Sequence, residues 1–211
     1  MSAVRVMVVD DQATPRHLME MYVEQAEGYE LACSIDSAVA ADVYLLKEKV
    51  DLILMDILMS DGSNGLDTAF RIKKNYPKIK IIAVTSMPEF SWLKKAKSIG
   101  VDSFWYKETD EQTIKEVMDL TMAGQSVYPG DSPEVKLGLA SSKDFTSREL
   151  EVLQVITTGV TNQEVADRLG ISEYTVKTHV RNMLEKTGYA SRTELAIKAR
   201  VAGIAIGEVK E

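Results

Sequence analysis

Between residues 4 and 107 five short apolar runs recur: "VRVMVVD" (4–10), "YELACSI" (29–35), "DLILMD" (51–56), "KIIAVTS" (80–86) and "DSFWYK" (102–107). Their β-branched content and their separation by longer segments predict strands alternating with helices. The intervening segments carry the helical period, as in "LMEMYVEQA" and in "TIKEVMDLTMAG", where Ile114, Val117, Met118 and Thr121 fall on one face. Few architectures accept that alternation. It demands a parallel sheet with helices covering both faces.

Five such units fill residues 1–125 and predict an α/β domain, a flavodoxin-like doubly wound five-stranded parallel sheet whose sites lie beyond the carboxyl ends of the strands. From "GQSVYPGDSPEVKLGLASSKD" (124–144) the pattern gives way to Pro, Gly and Ser, the composition of a linker, placed at 126–143. Residues 144–211 read as an all-α domain of four short helices, with no strand run until the end. Three start signals are capping boxes, Thr146 with Glu149, Thr161 with Glu164, and Ser191 with Glu194. In each the hydroxyl accepts the third residue's N–H and the Glu reaches back. A fourth helix starts after Ser172 and stops at Gly188.

At 211 residues and 45% hydrophobic content the chain can bury a core in each part. The single Cys33 excludes an intramolecular disulfide framework and reads as buried filler. No apolar run approaches the roughly 20 residues needed to cross a bilayer. The opening "MSAVRVMVVDD" reads as a strand rather than a leader, so the expected location is cytoplasmic, with no membrane partner. Charge is uneven. Residues 1–140 hold 15 bases against 22 acids, whereas 141–211 hold 10 of each, and within 172–200 six bases face three acids. An anionic partner is therefore expected at that last stretch.

Polar residues gather at the strand ends: Asp10 and Asp11 after the first, Asp56 after the third, Thr85 and Ser86 after the fourth, Lys107 after the fifth. In a parallel doubly wound sheet these ends share one rim. Carboxylates are hard oxygen ligands of the kind Mg²⁺ prefers. Phosphoryl transfer to a carboxylate needs a nucleophile, a metal that neutralises the phosphoryl oxygens, and further donors for the rest. Taken singly, an Asp there is a helix cap and a Lys a solvated surface residue; their joint placement points to a site. His17, a turn beyond the acids, reads as a surface His, and Met87 as a residue at the pocket mouth.

This first domain resembles the receiver domain of a two-component response regulator. The matching residues are Asp10 and Asp11, Asp56 in "LMDILM", Thr85 in "AVTS", Lys107 in "DSFWYK", and Gly65 opening the next helix. The resemblance implies that Asp56 accepts a phosphoryl group. It implies that Asp11 and Asp56 ligate Mg²⁺ with the Leu58 carbonyl, Asp10 reaching the ion through water. Thr85 and Lys107 would bind phosphoryl oxygens, and Phe104 matches the family's switch aromatic. Some positions depart from the family. Ser60 replaces a usual Pro, Gly65 comes nine residues after Asp56 rather than eight, and Glu108 follows Lys107 where Pro is common. Leu58 stands where a hydrolytic water would approach, so a phosphorylated Asp56 is expected to hydrolyse slowly.

Residues 145–199 resemble the LuxR/NarL-type helix-turn-helix module through "TSRELEVL", "G-T-N-Q-E-V-A", "L-G-I-S-E-Y-T-V-K-T-H-V" and "SRTELA". The residues themselves predict a helix over 162–169, a tight turn at 170–172 and a helix over 173–187, with Val165, Ala166, Leu169, Val176, Val180 and Leu184 as core. Lys177, Thr178 and Arg181 match the family's groove-reading positions. Thr175, His179, Asn182 and Lys186, with Asn162 and Gln163, are expected on phosphates, which fix register without reading sequence.

The expected function is a response regulator and transcription factor rather than a turnover enzyme. A sensor histidine kinase would phosphorylate Asp56 with Mg²⁺, and the chain would then form a homodimer on double-stranded promoter DNA, with RNA polymerase as a further partner. One alternative is a DNA-binding regulator independent of phosphorylation. A less favoured one is an aspartyl-phosphate phosphatase, which wants a second acid where Leu58 stands.

Overall fold

The structure, a computed structural model, describes residues 2–59, 63–107, 113–130 and 132–205. The departures at Ser60 and Glu108 and the last six residues of the second domain lie outside the described residues. The chain forms two compact units, the first made of residues up to 86 and from 91 to 131, the second of residues 87–90 and those from 132 onward.

In the first unit the strands are β1 (Val4–Val9), β2 (Tyr29–Ile35), β3 (Leu52–Asp56), β4 (Lys80–Thr85) and β5 (Ser103–Tyr106). They pair in parallel in the order β2-β1-β3-β4-β5. Between them run α1 (Ala13–Gln25), α2 (Ala41–Leu45), α3 (Gly65–Asn75) and α4 (Phe90–Ser98), and α5 (Ile114–Met122) follows β5. β3 is buried at all five positions, which is why its first four residues, "LILM", are continuously apolar rather than alternating. Val6, Val8, Leu52, Leu54, Ile82 and Val84 pack on one side of the sheet with Met19, Val23, Val117 and Met118 of α1 and α5. Met7, Val9, Ile53, Met55 and Ile81, the intervening strand positions, are equally buried, as the period of two requires. Each such side chain contributes roughly 1.5–3 kcal/mol of burial.

The strand order reverses between β1 and β3, where the chain leaves β1 toward opposite edges. That is the switch point at which an open α/β sheet forms a crevice beyond its strand ends. Asp10 and Asp56 stand on its two sides.

The stretch 126–143, read as a linker from composition, is ordered where it is described. Val127 takes the Phe104 N–H at 2.8 Å and the Tyr128 hydroxyl donates to the Val101 carbonyl at 2.7 Å, within the first unit. In the second, β6 (Lys136–Leu137) and β7 (Ala140–Ser141) form a small antiparallel hairpin. Its Leu137 is 1% exposed in the core of the helices that follow, α6 (Ser147–Ile156), α7 (Asn162–Leu169), α8 (Glu173–Thr187) and α9 (Arg192–Val201).

The capping boxes at Thr146 and Thr161 are complete. Ser191 accepts the Glu194 N–H at 3.1 Å, but the Glu194 carboxylate reaches back to the N–H of Ala190 rather than of Ser191. α7 ends at Gly170 in the left-handed region (φ 62°), a conformation costly for other residues, and this lets α8 start three residues later.

Candidate functional site

At the rim of the first unit the Lys107 ammonium lies 2.6 Å from Asp56 Oδ1 and 2.6 Å from Asp10 Oδ2. The three residues come from the ends of β5, β3 and β1. Asp56 is 7% and Asp10 2% exposed, so an uncompensated charge on either would be costly. Backbone groups satisfy the remaining oxygens: the Leu58 N–H donates to Asp56 Oδ2 at 3.0 Å and the Gln12 N–H to Asp10 Oδ1 at 2.9 Å. Burial pushes the Asp56 carboxyl up to about 6, against the pull of Lys107. Burial also works against the charged form of Lys107, but the two carboxylates outweigh it and hold the ammonium above its ordinary range.

Thr85, buried at the same rim, accepts the Lys107 N–H at its carbonyl, 2.9 Å away. Asp11, next to Asp10, is half-buried. Among the described residues no group of three His, Cys, Asp or Glu side chains is placed to hold a metal ion. The positive charge between the acids is supplied by Lys107. The donor chemistry nonetheless suits Mg²⁺, since three carboxylates and a backbone carbonyl are all hard oxygens.

The loop after Asp56 is closed at its base. Leu58 and Asn64 form an isolated antiparallel bridge, and the Met59 N–H reaches the Ser63 carbonyl at 3.3 Å. Asn64 caps α3 by accepting the Leu66 N–H at 2.8 Å. Gly65 is required by close approach: a Cβ there would sit 1.9 Å from the Asp56 carbonyl oxygen. Phe104 is 1% exposed, its ring 5.0 Å from that of Tyr106 and 6.3 Å from that of Tyr128. His17 is exposed and faces Glu20 at 3.2 Å. Cys33 is half-buried rather than buried.

Sequence patterning did not single out Arg16. Its Nη1 donates to the Asp10 carbonyl at 2.8 Å and so ties α1 to the acid-bearing loop. A helical residue six positions beyond the acid gave no local signal of that bond.

In the second unit α8 buries Val176, Val180, Met183 and Thr187 and turns Lys177 and Arg181 outward. Each exposed cation faces an acid of its own helix: Lys177 with Glu173 at 3.0 Å and Arg181 with Glu185 at 3.9 Å. Thr178 is half-buried, its hydroxyl on the Tyr174 carbonyl, and Thr175, His179 and Asn182 are half-buried on the flanks. Gln163 is exposed and bonded to Asp167 at 2.9 Å. Asn162 is half-buried, with Oδ1 lacking a donor among the described residues.

Lys186 differs from this set. Its ammonium donates to Glu149 Oε2 at 2.7 Å and the Asp144 carbonyl at 2.9 Å, and lies 5.7 Å from the centre of the Phe145 ring. Tyr174, passed over in the sequence, is 78% exposed on the outward face of α8.

Known proteins agree with both halves. Residues 6–119 match the response regulator receiver domain, and residues 143–199 match the bacterial regulatory proteins of the luxR family. The response regulator protein VraR of Staphylococcus epidermidis is 35% identical over 205 residues, 93% of this chain and 96% of that protein. A structure of RcsB from Salmonella enterica serovar Typhimurium, bound to promoter rprA in the presence of the phosphomimetic BeF3-, superimposes with a TM-score of 0.59 at 19% identity, over 92% of this chain and 97% of that one. A structure of two RcsB dimers bound to two parallel DNAs gives 0.63 at 17% identity, over 97% and 100%. No helix among the described residues is long and apolar enough to cross a membrane. The chain belongs to the response regulators, as a receiver domain followed by a luxR-type helix-turn-helix domain, a family of signalling transcription regulators rather than turnover enzymes.

Proposed function

We propose that a sensor histidine kinase phosphorylates this chain on Asp56 and that the phosphoryl group controls homodimerisation and binding to double-stranded promoter DNA. The observation that carries this is the convergence of Asp56, Asp10 and Lys107 at the switch point of the sheet. A carboxylate oxygen of Asp56 attacks the phosphorus of a phosphohistidine. The O–P bond forms as the N–P bond breaks, and the imidazole leaves with the electron pair. The half-buried Leu58 limits water at the acceptor. Lys107 supplies a fixed positive charge for a phosphoryl oxygen, and Thr85 the neighbouring hydroxyl. Asp11, Asp56 and the Leu58 carbonyl would hold Mg²⁺, with Asp10 reaching it through water; the ion would neutralise the phosphoryl oxygens.

Rearrangement from β4 to β5 through Thr85 and Phe104 would then carry the signal. The site of action is the cytoplasm, and at a promoter the next partner is RNA polymerase. On DNA, Lys177, Thr178 and Arg181 meet base edges. Thr175, His179, Asn182, Asn162 and Gln163 lie toward the phosphates. RcsB, whose solved structures include a promoter complex with a phosphomimetic, shares the fold.

A second reading has its own support. The Lys107 ammonium already bridges both acids, so the pocket could serve as a fixed structural anchor in a regulator that binds DNA without phosphorylation. The deciding experiment measures Mg²⁺-dependent labelling by a small phosphoryl donor, DNA binding and oligomeric mass, on wild type and on Asp56→Ala. Labelling that depends on Asp56 and shifts mass and affinity supports the switch. DNA binding and mass indifferent to the donor support the anchor.

A further inference from the structure

Tyr174 is the second residue of α8 and, at 78% exposure, among the most exposed large hydrophobic side chains described. Residues 174, 177, 178 and 181 follow the i, i+3, i+4, i+7 spacing, so Tyr174 shares one stripe with Lys177, Thr178 and Arg181. The core residues Val176, Val180 and Met183 lie on the opposite side, so the ring contributes nothing to the fold that explains it. The amino-terminal residues of a recognition helix are those that meet base edges in the major groove.

We propose that Tyr174 is a specificity-determining residue that reads a thymine by packing its ring on the C5 methyl group, the one apolar feature of that groove. This rests on the DNA-binding reading above. A helix rise of ~1.5 Å per residue sets Tyr174 ~10 Å from Arg181 along the axis, about three base-pair steps. The two side chains therefore read positions about three base pairs apart in each half-site. Arg181 meets guanine acceptors at one, and Tyr174 a thymine at the other. Carrying no charge, Tyr174 takes no part in counterion release.

The test is selection of binding sites from a random duplex library by the full chain, with a small phosphoryl donor and Mg²⁺ present, for wild type, Tyr174→Ala and Arg181→Ala. Wild type should recover a motif with a thymine about three base pairs from the position that loses its preference in Arg181→Ala. In Tyr174→Ala the thymine preference should flatten alone, with the salt dependence of binding unchanged. Replacing that thymine by deoxyuridine should weaken wild type about fourfold, the effect of removing one buried methyl group, and leave Tyr174→Ala unaffected. A motif identical in wild type and Tyr174→Ala, or equal wild-type affinity for the uracil duplex, overturns the assignment while leaving DNA binding intact. Failure of wild type to enrich any sequence overturns the DNA-binding reading itself, and this inference with it.

Discussion

Lys107 and Asp56 meet 2.6 Å apart with side chains only 13% and 9% exposed, and the same ammonium holds Asp10. Lys107→Met leaves two buried carboxyls without their cation and should cost ~3 kcal/mol at pH 7. Asp56 already titrates above its unfolded value, at about 6, because of burial. Without Lys107 it should rise further. A carboxyl raised in the folded state destabilises it as pH climbs through the folded value and spares it below the unfolded one. The deficit of the metal-free variant should therefore be smaller at pH 5 than at pH 7, in urea melts at the two pH values. An equal deficit would contradict the assignment.

Gly65 has a steric rather than a conformational reason to be glycine. Gly65→Ala drives a methyl group onto the Asp56 carbonyl and should cost ~3 kcal/mol, the upper range for forced overpacking. It should also lower phosphoryl labelling by shifting the acceptor. A variant as stable as wild type in denaturant melts would show that α3 retreats freely.

Glu149 and Lys186 anchor the helical domain. Burial works against the Glu149 charge, but Lys186 and the Thr146 cap outweigh it and hold the carboxyl below its ordinary value. An acid depressed on folding contributes stability above its unfolded value, near 4.5, and loses it as pH falls through the folded one. Lys186→Met should thus cost ~1 kcal/mol at pH 7, discounted for the one-third exposure of the lysine. The loss should shrink toward pH 3, read from thermal melts of the full chain.

The pairing of Lys177 with Glu173 sets a carboxylate 3.0 Å from a cation of the proposed reading face in the free chain. Glu173→Gln should raise affinity for random-sequence duplex about twofold at low salt and hardly at all at 1 M, where screening is complete. Anisotropy titrations at the two salt concentrations check this.

Leu58 stands two residues beyond the proposed acceptor. Leu58→Asn should shorten the phospho-Asp56 lifetime about tenfold, the ~1.4 kcal/mol of one well-placed hydrogen bond to the attacking water. Loss of radiolabelled phosphate over time measures it.

Much of this organisation was legible because its causes are local. Each strand stands within a residue or two of its predicted run. The boxes at Thr146 and Thr161 declare themselves in four residues. The rim followed from topology, since a doubly wound sheet fixes where strand ends meet. Pairings across the chain were not legible. Nothing near Lys186 points to Glu149, 37 residues earlier, and nothing near Gly65 announces the Asp56 carbonyl. The hairpin at 136–141 was hidden by its length, two residues a strand, too short for a period to register. The spacing of Tyr174 is visible in the sequence, but a lone aromatic on a polar helix face carries little signal by itself.

The bridge between Leu58 and Asn64, with Gly65 lodged against Asp56 just beyond it, separates two jobs that one loop usually shares. Among the described residues, the Lys107 ammonium and the Leu58 N–H, which hold the Asp56 carboxylate, lie outside the stretch between Met59 and Ser63. The residue count between Met59 and Ser63 is thereby released from the chemistry. A receiver built this way can change in sequence between Met59 and Ser63 while the Asp56 carboxylate stays where it is.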